Sequence, residues 1–211
     1  MDTPAVEAGL TVGQCFVKRS FDVLFSVGGL LLFGWLLVPA LIGSRIDIGQ
    51  SGIFRQLRVG LHGKRFYVIK IRTMRSLEGE STVNTTVNDP RITRFGGLLR
   101  RAKLDELPQL FNILRGDMSF VGPRPDVPEY MDTLSGGDCV ILNVRPGITG
   151  PATLRYRNEE KLLATKDDPK KFNDEVVFPD KIRINRGYVE HYSFLGDLRY
   201  ILQTIFPSAS V

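Results

Sequence analysis

Polar and apolar residues are unevenly mixed along this chain. From Val23 to Gly43 it reads VLFSVGGLLLFGWLLVPALIG, without one formal charge. About 20 apolar residues cross a bilayer core as a helix, so the pattern predicts a membrane segment. A buried core helix would also be apolar all round, but the rest of the chain offers little to wrap it. The run exceeds the ~7–15 residues of a secretory signal core, and no A-x-A site follows it. Pro39 removes a backbone hydrogen bond within the run and predicts a kink there. Lys18 and Arg19 precede it, while Arg45, Arg55, Arg58, Lys64 and Arg65 follow. Basic flanks favour the cytoplasmic side. A kinked apolar helix with basic residues at both ends predicts a re-entrant hairpin, the alternative being a straight single span.

Beyond that run the period changes. Residues 53–72, IFRQLRVGLHGKRFYVIKIR, read as two strands around a turn at His62-Gly63. In the second, Phe66, Val68, Lys70 and Arg72 alternate with Tyr67, Ile69 and Ile71. Lys70 and Arg72 therefore share a face, as a phosphate site requires and as a solvated face also displays. Residues 76–90 are polar and turn-rich and predict a loop. Asn84-Thr85-Thr86 within it matches a glycosylation sequon, which a cytoplasmic domain would not use. Leu104, Leu107, Phe111 and Leu114 recur at helical spacing. Residues 158–186 are charged and irregular and predict a short helix and a loop. The closing stretch SFLGDLRYILQTIF (193–206) gathers Phe194, Leu198, Ile201, Leu202, Ile205 and Phe206 largely on one face. That face suits either the core or a membrane interface.

Composition narrows the chemistry. A length of 211 residues suits one domain, and the net charge of +5 suits polyanionic partners. Two cysteines, Cys15 and Cys139, and two histidines exclude a disulfide framework and leave too few ligands for zinc. Any metal is then a hard cation held by carboxylates. The segment KLDELPQL (103–110) supplies two. Pro108 is tolerated only in a first helical turn, so a helix should begin near Asp105, with that residue close to the N-cap. Asp105 and Glu106 there could hold a divalent cation, although a cap beside a solvated acid reads the same way. In GDMSFVGPRP (116–125) two prolines flank Arg124 and present its guanidinium from a stiff loop, which suits phosphate oxygens. A second stiff turn, RPGITGP, spans 145–151. A basic stretch runs through Arg91, Arg94, Arg100, Arg101 and Lys103. Together these features favour a phosphate-handling site beside a membrane.

The segments KIRTM (70–74), RITRFGGLLRRAKLDELPQLFNILRGDMSFVGPRP (91–125) and RPGITG (145–150) resemble the bacterial sugar transferases, the monotopic phosphoglycosyl transferases. The likeness extends through the apolar segment and the closing SF-x-x-DL-x-x-x-x-x-T pattern. It implies transfer of a sugar-1-phosphate from a UDP-sugar to undecaprenyl phosphate with release of UMP, beginning the assembly of a glycoconjugate. It further implies that Asp105 is the nucleophile and that Glu106 helps to hold Mg²⁺. By the same likeness Lys70 and Arg124 meet the substrate phosphates and Arg145 approaches the nucleotide. Arg72 and Arg91 complete the candidate substrate-binding set, with Lys103 outside it.

The implied architecture is helix-rich α+β. Residues 1–48 carry the re-entrant membrane helix with its kink at Pro39, and 49–211 form a small cytoplasmic catalytic domain. That domain has a short β-hairpin and interfacial amphipathic helices, and sits on the inner membrane of a bacterium. The implied partners are the UDP-sugar, the polyprenyl phosphate and the phospholipid bilayer, with no nucleic acid; self-association is left open. Two departures from the family pattern stand out. Val38-Pro39 replaces a Ser-Pro pair, and Asn185 precedes Tyr188 where relatives carry Asp, with Asp180 a candidate substitute. The segment ATLRYRNEE (152–160) also departs from the Asn-Gly-Arg-Asn form of many relatives, so no sugar preference carries across. A membrane-tethered polyanion-binding protein would not set two acids among arginines. A phosphoesterase would share the Mg²⁺ and arginines but hand phosphate to water.

Overall fold

The structure is a computed structural model that describes residues 9–75 and 89–206. The loop expected at 76–90, apart from its last two residues, lies outside the described residues, and so does Asn84. The chain enters a long helix, α1 (Val12–Phe33), through a capping box. Thr11 Oγ1 accepts from the Gln14 amide and Gln14 Oε1 accepts from the Thr11 amide, which satisfies two N–H groups that the helix end leaves free. A tight 3₁₀ turn at Gly34–Leu36 separates α1 from α2 (Leu37–Ile48). The break lies one turn before Pro39, which itself sits in the first turn of α2. The proline ring clashes with the carbonyl four residues back, at Trp35, and so displaces the irregularity upstream of itself.

These two helices lie across the rest of the chain. Their inner face carries Asp22, Ser26, Ala40 and Ser44, all buried. Their outer face leaves Leu24, Leu31, Leu32, Trp35, Val38 and Ile42 exposed. The run Val12–Ile48 is long and apolar enough to cross a membrane.

A hairpin follows, with β1 (Ile53–Val59) antiparallel to β2 (Arg65–Ile71) and Phe54 opposite Lys70. The turn falls where the sequence places it, with His62 and Gly63 both at positive φ. Helix α3 (Arg94–Arg101) is capped by Thr93. After α4 (Gln109–Arg115), a short strand β3 (Ser119–Val121) pairs in parallel with β4 (Gly147–Thr149). Between those two strands lie α5 (Pro128–Met131) and a 3₁₀ stretch at Gly136–Asn143. A side chain at Gly147 would collide with the Gly122 backbone, so the two proline-stiffened turns meet only because both residues are glycine.

The remainder is helical: α6 (Pro151–Arg155), α7 (Glu159–Ala164), α8 (Pro169–Phe172), α9 (Phe178–Glu190) and α10 (Phe194–Ile205). Residues 158–186 are thus more regular than their charge pattern implies. Asp168 caps α8, a single π turn carries it into α9, and Leu163 and Val177 anchor the stretch in the interior. The main core packs Val121, Val140, Ile141, Ile182 and Val189 together. A second cluster of Phe66, Val68, Leu110, Ile113 and Met118 receives Leu30 of α1; a third, around Ile71 and Leu99, receives Leu37 and Leu41 of α2. Helix α10 bears out the core-facing expectation with part of its apolar set and leaves the rest exposed. Tyr200 and Ile201 pack on the main core, whereas Leu195, Leu202, Ile205 and Phe206 are exposed.

Candidate active site

Asp105 and Glu106 occupy a single 3₁₀ turn (Leu104–Glu106), and α4 begins only at Gln109. The helix therefore starts four residues later than the proline rule suggests. Pro108 stands just before the helix, and the amides of Leu107, Leu110 and Phe111 bond three residues back rather than four. Lys103 opens the turn in the left-handed region, at φ 57°. This geometry swings both carboxylates towards strand β2 instead of capping α4.

Asn112 sets the distance between that turn and the strand. Its Oδ1 accepts from the Ile69 amide at 3.1 Å and its Nδ2 donates to the Tyr67 carbonyl at 2.8 Å. The amide thereby completes the free edge of β2, next to Lys70. As a result Lys70 Nζ comes 3.7 Å from Glu106 Oε1, and Arg124 Nη2 reaches the same oxygen at 3.5 Å.

The charges at this point are strongly coupled. Burial works to raise the Glu106 carboxyl, but Arg124 and then Lys70 outweigh it and hold the group below its ordinary value. Asp105 moves the other way, pushed up by burial and then by the charge of Glu106. Lys70 is lowered to about 8 by burial and by neighbouring Arg124. Asp105 Oδ1 is buried without a hydrogen-bond partner. A buried acceptor in that state costs roughly 1–3 kcal/mol, which a ligand or ion can recover.

Around the pair opens a cavity of about 530 Å³, bordered by Lys70, Arg72, Arg91, Asp105, Glu106 and Arg124. Six of the seven candidate residues proposed for substrate or catalysis are thus brought together. Arg72 donates through Nε to the Ser51 carbonyl at 2.9 Å and lies over the Phe54 ring. Arg91 forks onto Asp89, with Nε 2.8 Å from Oδ1 and Nη2 2.5 Å from Oδ2. Arg145 is the exception. Its Nε donates to the Gly116 carbonyl at 2.8 Å, beyond the end of α4, and it borders neither this cavity nor the larger one beside it.

A second cavity of about 1430 Å³ adjoins the first, and the two share Arg100, Lys103, Arg124 and Lys181 together with Glu106, Asp126, Glu159 and Glu160. Lys103 is therefore part of the cavity wall, contrary to the expectation that it lies outside; its position two residues before Asp105 in the sequence was the available signal. The second chamber is largely apolar, with Leu107, Leu110, Ile148, Phe178 and Ile182 in its walls. Asn185 also lines it. Asp180 lines neither cavity, because it accepts from the Tyr156 hydroxyl at 2.7 Å and is paired with Arg183.

Two adjacent carboxylates and a fan of cations thus share one cavity. The chain belongs to the bacterial sugar transferase family, whose model matches residues 13–210. It is accordingly an enzyme of the phosphoglycosyl transferase class. Similar proteins include the uncharacterised sugar transferase EpsL of Bacillus subtilis, 33% identical over 90% of this chain and 85% of its own length. The exopolysaccharide production protein ExoY of Rhizobium meliloti is 34% identical over 89% of this chain and 83% of its own. A UDP-glucose:undecaprenyl-phosphate glucose-1-phosphate transferase of Caulobacter vibrioides is 34% identical, over 89% of this chain and 68% of its own length.

Proposed function

We propose that this enzyme transfers a sugar-1-phosphate from a UDP-sugar to undecaprenyl phosphate and releases UMP, through an aspartyl phosphosugar intermediate. The observation that carries the reading is the buried, unpartnered Oδ1 of Asp105 at the edge of a cation-lined chamber. That carboxylate oxygen attacks the sugar-bearing phosphorus. The bond from this phosphorus to the bridging oxygen breaks, and UMP departs with that oxygen. A phosphate oxygen of the polyprenyl acceptor then attacks the same phosphorus and returns Asp105 to the free carboxylate.

Both steps bring anion to anion, so neighbouring charge must fall on the phosphoryl oxygens. Arg124 and Lys70 flank the reacting pair, and Lys103 and Arg100 border the opening between the chambers. Asp105 and Glu106 also fit a hard cation. Mg²⁺ commonly takes one or two carboxylates and completes its shell with water and substrate phosphates, and Asp105 offers an oxygen with no competing donor. Bound there, Mg²⁺ would neutralise charge developing on the diphosphate.

The same reading places the chain at the cytoplasmic face of the inner membrane, with its apolar run re-entrant. Both ends of that run are tied to one globular body. Asp22 Oδ1 accepts from Ser119 Oγ and the Phe120 amide, each at 3.0 Å, while Ser44 Oγ donates to the Arg72 carbonyl at 2.6 Å. A straight span would carry one of these ends to the far side and break its bonds.

The test is trapping. Incubation with a UDP-sugar and Mg²⁺, without lipid acceptor, should add one sugar phosphate to the protein by intact mass. Asp105→Asn should abolish both adduct and turnover, and an adduct that persists in that variant would refute the assignment.

A further inference from the structure

We infer that the second chamber seats the sugar ring of the donor and that Asn185 and Thr153 read its hydroxyl or acetamido groups. This rests on the transferase reading above and adds to it a recognition site for the transferred sugar. The argument begins from two buried oxygens that the fold leaves without partners, Asn185 Oδ1 on α9 and Thr153 Oγ1 on α6. Both residues line the second chamber, and Asn185 is 5% exposed. Polar groups sealed from water normally find a hydrogen bond, and the packing of α6 against α9 supplies none here.

The chemistry of the two groups selects the ligand. An amide offers a donor and an acceptor, and a hydroxyl offers both. Their complement is a neutral group rich in O–H or N–H. A fully ionised phosphate has no proton to give to an acceptor, and an isoprenoid chain has neither donor nor acceptor. A sugar ring has several of each, and its carbon faces suit Ile148, Phe178 and Ile182 in the same walls.

The position agrees. The cations that would hold a diphosphate, Lys70, Arg72, Arg91 and Arg124, border the first chamber with Asp105. Glu106, Lys103, Arg100 and Arg124 border both, so a diphosphate held at Asp105 lies at the junction. The sugar is joined through its anomeric oxygen to the phosphorus under attack. It therefore extends from the junction into the second chamber, whose walls add the neutral groups of Asn185 and Thr153 to charged residues such as Arg94, Arg101 and Arg157, while the nucleotide stays on the side of the first.

The experiment compares donors in the full-length protein, purified in its lipid or detergent environment. Rates with UDP-glucose, UDP-galactose and UDP-N-acetylglucosamine are measured for the parent chain, Asn185→Ala, Asn185→Asp and Thr153→Val, alongside inhibition by UDP. Asn185→Asp keeps the side-chain shape that Asn185→Ala removes, and thermal unfolding checks that each variant still folds. The expected result is a change in the ratio of kcat/KM between donors on the order of tenfold, with UDP inhibition unchanged. Four outcomes overturn the inference. Donor ratios could stay fixed in all folded variants. UDP inhibition could weaken equally for every donor, which would assign the chamber to the uracil. The KM for the lipid acceptor alone could rise, which would assign it to the isoprenoid. If the parent chain uses no UDP-sugar at all, the transferase reading fails and takes this inference with it.

Discussion

Lys18 Nζ lies 2.5 Å from Asp197 Oδ2, with both side chains almost wholly buried, so α1 is bound to α10 by an internal ion pair. Asp197 is further held by the hydroxyls of Tyr188 at 2.8 Å and Tyr192 at 3.3 Å. Removing one member of such a pair strands the other charge and costs about 3–5 kcal/mol, whereas neutralising both costs less. Lys18→Met alone should therefore destabilise the fold more than Lys18→Met combined with Asp197→Asn, in which the tyrosine bonds survive. Thermal unfolding in detergent checks this, and equal midpoints for the single and double variants would mean that the pair has no structural weight.

The two ties at Asp22 and Ser44 make the membrane arrangement testable. Residues 10 and 50 should both react from the cytoplasmic side when Leu10→Cys and Gln50→Cys are placed singly in a background lacking Cys15 and Cys139. Labelling of residue 10 from outside and residue 50 from inside would restore the single span. Pro39→Leu, which removes the clash behind the Gly34–Leu36 break, should shift the population towards spanning.

Asn112 joins α4 to β2 with one side chain that is 1% exposed. Asn112→Ala strands the Tyr67 carbonyl and the Ile69 amide, at about 1–3 kcal/mol for each group left unpaired in the interior. Stability should fall accordingly. In the fraction that still folds, kcat should fall as well, because Lys70 is no longer held opposite Glu106. Chemical unfolding together with kcat per folded molecule separates the two effects. A variant that loses stability but keeps full kcat would confine Asn112 to the fold.

Much of this was legible wherever a single period dominated. The alternation from Phe66 to Arg72 locates the hairpin, and Ser193 with the apolar stripe after it locates α10. The turn at Asp105-Glu106 was less legible. Its form depends on Lys103 adopting a positive φ and on 3₁₀ bonding through Pro108, and neither leaves a pattern in residue type. The two stiff arginine turns look equivalent in the sequence, yet Arg145 is drawn away by the carbonyl of Gly116. The second chamber was invisible for another reason: its walls come from α4, β4, α6 and α9, and only packing brings those segments together.

Arg124 separates geometry from charge. Held between Pro123 and Pro125, its guanidinium stands 3.5 Å from Glu106 Oε1 and borders both chambers, so it can fork onto phosphate oxygens without first being ordered. Arg124→Lys keeps the charge and loses the fork; Arg124→Ala loses both. If the contact tightens as charge develops on the phosphoryl group, kcat should fall more than KM rises. Loss of one such donor typically costs on the order of 10²–10³ in rate, and lysine should recover only a minor part of it. Lys103→Ala should also lower kcat, by a smaller factor, because Lys103 borders both chambers and its charge acts on Asp105 and Glu106. Lys170→Ala, on the exposed side of α8, serves as the control. Steady-state kinetics on the four variants decides the matter: near-parental kcat in Arg124→Lys would reduce that residue to a diffuse positive charge, and a Lys103→Ala variant no slower than the Lys170→Ala control would remove Lys103 from the machinery.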